Sequence, residues 1–141
     1  MRRSLFAGIG VIAAIAAIAL AAGTSMGGGK YGQLVGKDSD KGDSAVAVAL
    51  ASINDPGKMT MKVTTRPRHR VAWNYTTDCL KDGKSFQYPP PGESQDKVSK
   101  SPVVKTLKTG GVTDPDSCDV VVSAKLDFKA AKKVTAKIFN K

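Results

Sequence analysis

From Ser44 onward, apolar and polar residues alternate with a period of two, the spacing of half-buried β-strands. Val46, Val48 and Leu50 alternate with Ala45, Ala47, Ala49 and Ala51, and the turn-forming Asn54-Asp55-Pro56-Gly57 follows. Met59, Met61 and Val63 form a second row, which Arg66-Pro67 interrupts. Val71, Trp73, Tyr75 and Thr77 form a third, and Cys79 continues its parity. Asp82-Gly83 is a two-residue hairpin signal that turns the chain into a return strand over Ser85 to Tyr88, stopped by Pro89-Pro90-Pro91-Gly92. Val103 to Leu107 is a weaker strand ended by Gly110-Gly111. Cys118, Val120, Val122, Ala124, Leu126 and Phe128 form the strongest row, and Val134, Ala136 and Ile138 the last. The parity places Trp73, Val120, Val122 and Leu126 inside and Lys62, Lys125 and Lys137 outside. Six to seven short strands with no helical pattern after residue 22 predict an all-β fold, an antiparallel β-sandwich over residues 44–141.

The first 43 residues do not alternate in this way. Met1-Arg2-Arg3 precedes an uncharged apolar run from Leu5 to Ala22, which ends in the small-x-small triplet Ala19-Leu20-Ala21. That layout predicts a signal peptide or membrane anchor over residues 1–22, with cleavage after Ala21 favoured by the small residues and Gly23. The protein is then extracellular or secreted, or held on the outer face of the membrane where the segment stays uncleaved. Residues 23–43 include seven glycines and mixed charge, with Leu34-Val35 as the one apolar pair, and read as a disordered spacer.

Composition adds a positive surface. Residues 23–141 keep 20 of the 22 basic residues and all 12 acidic ones, a net charge of +8. Such a charge attracts polyanions and says nothing about fold. The two cysteines, Cys79 and Cys118, both lie in the exported part, where an even count reads as one disulfide with a single pairing.

The tryptophan in the third strand and the cysteine that opens the penultimate one resemble the immunoglobulin-like fold. The first cysteine departs from that pattern, lying six residues after Trp73 on the same strand. The resemblance implies that the third and sixth strands are antiparallel neighbours, with Cys79 beside Cys118 at one end of the sandwich. Trp73-x5-Cys79, Ser117-Cys118-Asp119-Val120 and Lys133-Val134-Thr135-Ala136 together resemble small exported β-sandwich proteins of high-GC Gram-positive bacteria. That likeness implies a fold and a location, and no activity.

Candidate chemistry is sparse. His69 is the single histidine, flanked by Arg66, Arg68 and Arg70, and no nucleophile elbow, phosphate loop or His-Glu-x-x-His motif accompanies it. No catalytic residue and no cofactor is assigned, although a small secreted hydrolase built around His69 is one alternative. Asp78, Asp82, Asp114, Asp116 and Asp119 flank the two cysteines, so a disulfide would gather five carboxylates, the donor set of a Ca2+-dependent binding module. Turn formation explains the same aspartates. At the opposite end, Arg66, Arg68 and Arg70 open the third strand while Lys129, Lys132 and Lys133 follow the sixth. Antiparallel pairing makes these six residues a basic pole, a candidate contact for an anionic cell-envelope polymer or lipid surface. Trp73 and Tyr75 would make a glycan face if exposed, but parity turns them inward. The few, inward aromatics also argue against nucleic acid as a partner. The sequence therefore predicts an exported, non-enzymatic β-sandwich of structural or binding role.

Overall fold

The computed structural model describes residues 29–93, 96–126 and 131–141. The expected signal segment, residues 1–22, lies outside them, as do Phe128 and Lys129. Nine strands run through the described residues: β1 (Gln33–Lys41), β2 (Val46–Asn54), β3 (Met59–Arg66), β4 (Arg70–Lys81), β5 (Lys84–Tyr88), β6 (Lys97–Lys100), β7 (Val103–Thr106), β8 (Ser117–Lys125) and β9 (Lys133–Asn140). They form two antiparallel sheets, β1-β9-β3-β7 and β2-β8-β4-β5, with β6 also on β4. Among the described residues no helix is long and apolar enough to cross a membrane.

The expected antiparallel sandwich is therefore present, and its strand order is a finding of its own. Successive strands alternate between the sheets from β1 to β4 and again from β6 to β9, while β5 and β6 stay in the sheet of β4 and together occupy one position beside it. That order is a jelly roll rather than the immunoglobulin arrangement. β6 was not legible as a strand because Lys97-Val98-Ser99-Lys100 carries one apolar residue.

The alternating rows interdigitate as the core. Met59, Met61 and Val63 of β3 and Val134, Ala136 and Ile138 of β9 face Trp73, Val120 and Val122 of the other sheet, and Leu126 is buried just past β8. In β2 the alanines point inward, while Val46, Val48 and Leu50 remain 40–44% exposed. β2 approaches β9 of the opposite sheet to within 8 Å between Cα atoms. That is closer than the usual ~10 Å between packed sheets, so only small side chains fit between them.

Asp82 (φ 54°) and Gly83 (φ 78°) form the expected tight turn between β4 and β5, both in the left-handed region that a type I′ hairpin needs. Cys79 and Cys118 lie directly opposite each other on β4 and β8 and form the disulfide. The bridge links residues 39 apart in sequence. Closing a loop of that length contributes on the order of 4 kcal/mol by restricting the unfolded chain.

The spacer assignment needs correction. Residues 33–41 are strand β1, paired in register with β9 from Gln33↔Asn140 to Lys41↔Lys133, with a bulge at Val35. Three features hold this polar, glycine-containing segment. Its backbone bonds complete the edge of β9, and Val35 packs against the core. Its Asp38 and Asp40 carboxylates accept the edge N–H groups of Val48 (2.8 Å) and Val46 (3.0 Å) on β2. Gly36 makes the approach of the two edges feasible, since a Cβ there would lie 2.6 Å from the Leu50 carbonyl oxygen.

Gly36→Ala should therefore destabilise the domain by about 1–3 kcal/mol through overpacking against backbone. In amide hydrogen exchange, Val46 and Val48 should lose protection before the β4–β8 ladder does. Unchanged protection at both amides would show that β1 does not hold the β2 edge.

Candidate functional site

The outer face of the β1-β9-β3-β7 sheet is built from the alternate residues that the core rows leave over. Cross-strand pairing aligns them in rows. Lys41, Lys133 and Arg66 form one row, and Ser39, Thr135 and Thr64 the next. Lys37, Lys137, Lys62 and Val104 form the third. Leu34, Phe139, Thr60 and Thr106 form the fourth, where Tyr31 meets Phe139 with ring centroids 5.6 Å apart. Adjacent strands are about 4.8 Å apart, and the two cationic rows about 13 Å apart along the strands. Six cations thus share one sheet face with no carboxylate in its rows. Residues 37–41 read Lys-Asp-Ser-Asp-Lys, so the alternation of β1 turns its lysines onto this face and its aspartates toward β2.

Like charges directly opposite on neighbouring strands repel. Lys137 sits among these charges and is half-buried, as is Lys62, rather than freely exposed as the pattern predicted. Burial pushes the Lys137 pKa down, and the flanking Lys37 and Lys62 charges push it further in the same direction. Between the rows, Thr64, Thr65, Arg66, Lys133 and Thr135 line a depression of about 250 Å³. Hydroxyls and cations together suit an anion of phosphate or carboxylate size.

The predicted basic pole adjoins this face. Arg66 and Lys133 are opposite each other in register. The Lys132 N–H donates to the Arg66 carbonyl (2.9 Å), and its ammonium pairs with Asp43 at 2.6 Å. Arg70 opens β4 opposite Lys100, and Arg68 donates its Nε–H to the Ser101 carbonyl at 3.2 Å. Lys129 lies outside the described residues. The sequence reading missed Lys37, Lys41, Lys62 and Lys137, because the first two fell in the assigned spacer and the others were taken singly.

The aspartates do not assemble as a metal site. Asp78 and Asp119 face each other in register, accepting hydrogen bonds from Ser85 (2.6 Å) and Ser52 (2.7 Å) respectively. Asp116 accepts the Asp82 N–H at 3.0 Å, and Asp114 turns the chain with φ 50°. Among the described residues no three acidic, histidine or cysteine side chains converge on one point. The turn chemistry of these residues accounts for their positions. His69 belongs to a tight loop: its N–H donates to Thr65 Oγ1 (2.8 Å) and its carbonyl accepts the Ser101 N–H (2.9 Å). Ser101 is buried, with its Oγ accepting the Thr65 N–H at 2.9 Å. Trp73 and Tyr75 are buried as parity requires.

No known protein family matches the chain, and no curated protein is similar to it in sequence. Among solved structures, PirA is similar over 74% of this chain and 91% of its own, with 12% identity and a TM-score of 0.36. A structure of carbohydrate-binding modules of the β-sandwich superfamily is similar over 71% of this chain and 44% of that one, with 11% identity and a TM-score of 0.32. TmCBM61, solved with β-1,4-galactotriose, is similar over 73% of this chain and 69% of that one, at 9% identity and a TM-score of 0.33. Scores this low carry no argument about function.

The cationic rows make a titration prediction. Lys37→Gln or Lys62→Gln should raise the Lys137 pKa toward the ordinary lysine value, read from its side-chain NMR signal. Because the folded pKa lies below the unfolded one, the unfolded chain binds more protons between the two. Parent stability should then rise with pH through that alkaline window, and the rise should shrink in either variant. An unmoved Lys137 titration would show that the three charges are not coupled.

Proposed function

We propose that this chain is an exported, non-catalytic binding protein that seats the outer face of its β1-β9-β3-β7 sheet, with the adjoining basic end, on an anionic cell-envelope polymer or lipid surface. The observation that supports this reading is the pair of in-register cation rows, Lys41–Lys133–Arg66 and Lys37–Lys137–Lys62, on a face whose own aspartates are turned away. Opposed cations cost stability in the free protein, and a polyanion laid across the rows removes that repulsion and adds charge-assisted hydrogen bonds. The flat surface suits an extended polymer or headgroup layer better than an enclosed small molecule. Export supplies the setting, because the apolar segment that precedes the domain would place it outside the cytoplasm.

Binding to purified anionic wall polymer, or to vesicles containing phosphatidylglycerol, should weaken as salt rises. Lys37→Gln plus Lys137→Gln should weaken it about thirtyfold, at about 1 kcal/mol per lysine near an anionic surface. Lys81→Gln plus Lys84→Gln, at the opposite end of β4, removes the same charge and should change affinity little. Equal losses from the two double variants would mean that net charge alone attracts the protein, and the face would have no binding role.

A further inference from the structure

The edge of the sandwich away from β1 holds a different group of residues. There β7 of one sheet stands across from β5 and β6 of the other, and a cleft of about 370 Å³ opens between them. Trp73, Tyr75 and Tyr88 line it with Lys97, Lys105, Thr106 and Lys108. The volume falls in the small part of the ligand-cleft range, about 300–1,000 Å³.

The aromatic groups are fixed from behind. Trp73 Nε1–H donates to Ser99 Oγ at 3.1 Å. Tyr75 Oη accepts the Lys108 N–H at 3.2 Å, and its ring stacks on Tyr88 with centroids 5.6 Å apart at 28°. The polar handles of Trp73 and Tyr75 are thus engaged and both rings are buried at the back of the cleft, so the half-buried Tyr88 is the ring it leaves for a ligand. Lysines cover the rings: Lys105 Nζ lies 5.9 Å from the Trp73 ring centroid and Lys108 Nζ 5.2 Å from that of Tyr88. Both lysines are exposed, on long flexible stems, so each can swing aside and still reach a group bound beneath it.

We propose that this cleft binds an acidic sugar of the uronic-acid type, with its ring on Tyr88 and its carboxylate held by Lys105 and Lys108. Aromatic rings take the apolar C–H face of a pyranose, and the charged groups at the cleft are all hydrogen-bond donors. An oxygen-rich anion meets donors alone with acceptors. A nucleobase also needs acceptors for its amino groups, and the described residues of the lining include no carboxylate or side-chain amide. This site shares no residue with the cationic rows and does not depend on the function proposed for them.

Trp73 is the single tryptophan of the chain, so its fluorescence reports on the cleft directly. A trimer of galacturonic acid should shift that emission saturably. The neutral galactose trimer should bind at least about tenfold more weakly, as should the acidic trimer to the Lys105→Gln plus Lys108→Gln variant. Lys81→Gln plus Lys84→Gln, which removes the same charge outside the cleft, should leave binding unchanged, which separates this site from net charge. No saturable shift would overturn the proposal. Equal affinity for the neutral trimer, parent-like binding by the Lys105/Lys108 variant, or equal competition by adenosine monophosphate or inorganic phosphate would also overturn it.

Discussion

The pairing of β1 with β9 is the interaction on which the charged surface depends. Without it, β9 would be a free sheet edge, and Lys133, Lys137 and their partners on β3 would lack a third column. The pairing is secured from the side by Asp38 and Asp40, which satisfy the edge amides of β2 across the open flank of the sandwich. An unpaired strand edge invites association with other chains, and here two carboxylates and a neighbouring strand cover it. The same alternation that aims the aspartates at β2 obliges Lys37 and Lys41 to face the opposite way. Edge protection and the cationic surface are therefore two consequences of one five-residue pattern.

The molecule divides its charge accordingly. One sheet presents cation rows, the far end of β4 and β8 carries turn-forming aspartates, and the edge beside β7 holds aromatic rings under lysines. The disulfide lies at the aspartate end, where it pins β4 to β8 far from the cation rows. Loss of the bridge would loosen the unfolded-state constraint without touching the sheet that carries the lysines. Binding surface and covalent staple are thus separated along the strands.

Much of the domain was legible in the sequence because burial imposes a period of two on any strand with one wet face. The rows at Met59–Val63, Val71–Cys79 and Cys118–Leu126 emerged in this way, as did the Asp82-Gly83 hairpin and the cysteine pair. β1 was missed because its alternation is one of charge sign rather than of hydropathy, and its glycines resemble a linker. Lys-Asp-Ser-Asp-Lys was nonetheless a signal, since a disordered spacer has no reason to segregate signs by parity. Strand order was not legible, because jelly-roll and immunoglobulin sandwiches share the same alternation and differ in which strands become neighbours. The cation rows were hidden for that reason: Lys37, Lys62 and Lys137 are far apart in sequence and meet through the β1-β9-β3 order.

The central claim is that one sheet face, rather than net charge, meets an anionic polymer. Titrating isotope-labelled protein with that polymer and mapping NMR shifts residue by residue tests it most directly. Changes concentrated at Lys37, Lys62, Lys133, Lys137 and the intervening Thr64 and Thr135, with Val48, Leu50 and Val121 of the other sheet undisturbed, are the result this account predicts. Shifts spread evenly over both sheets, or centred on the β2-β8-β4 face, would contradict it.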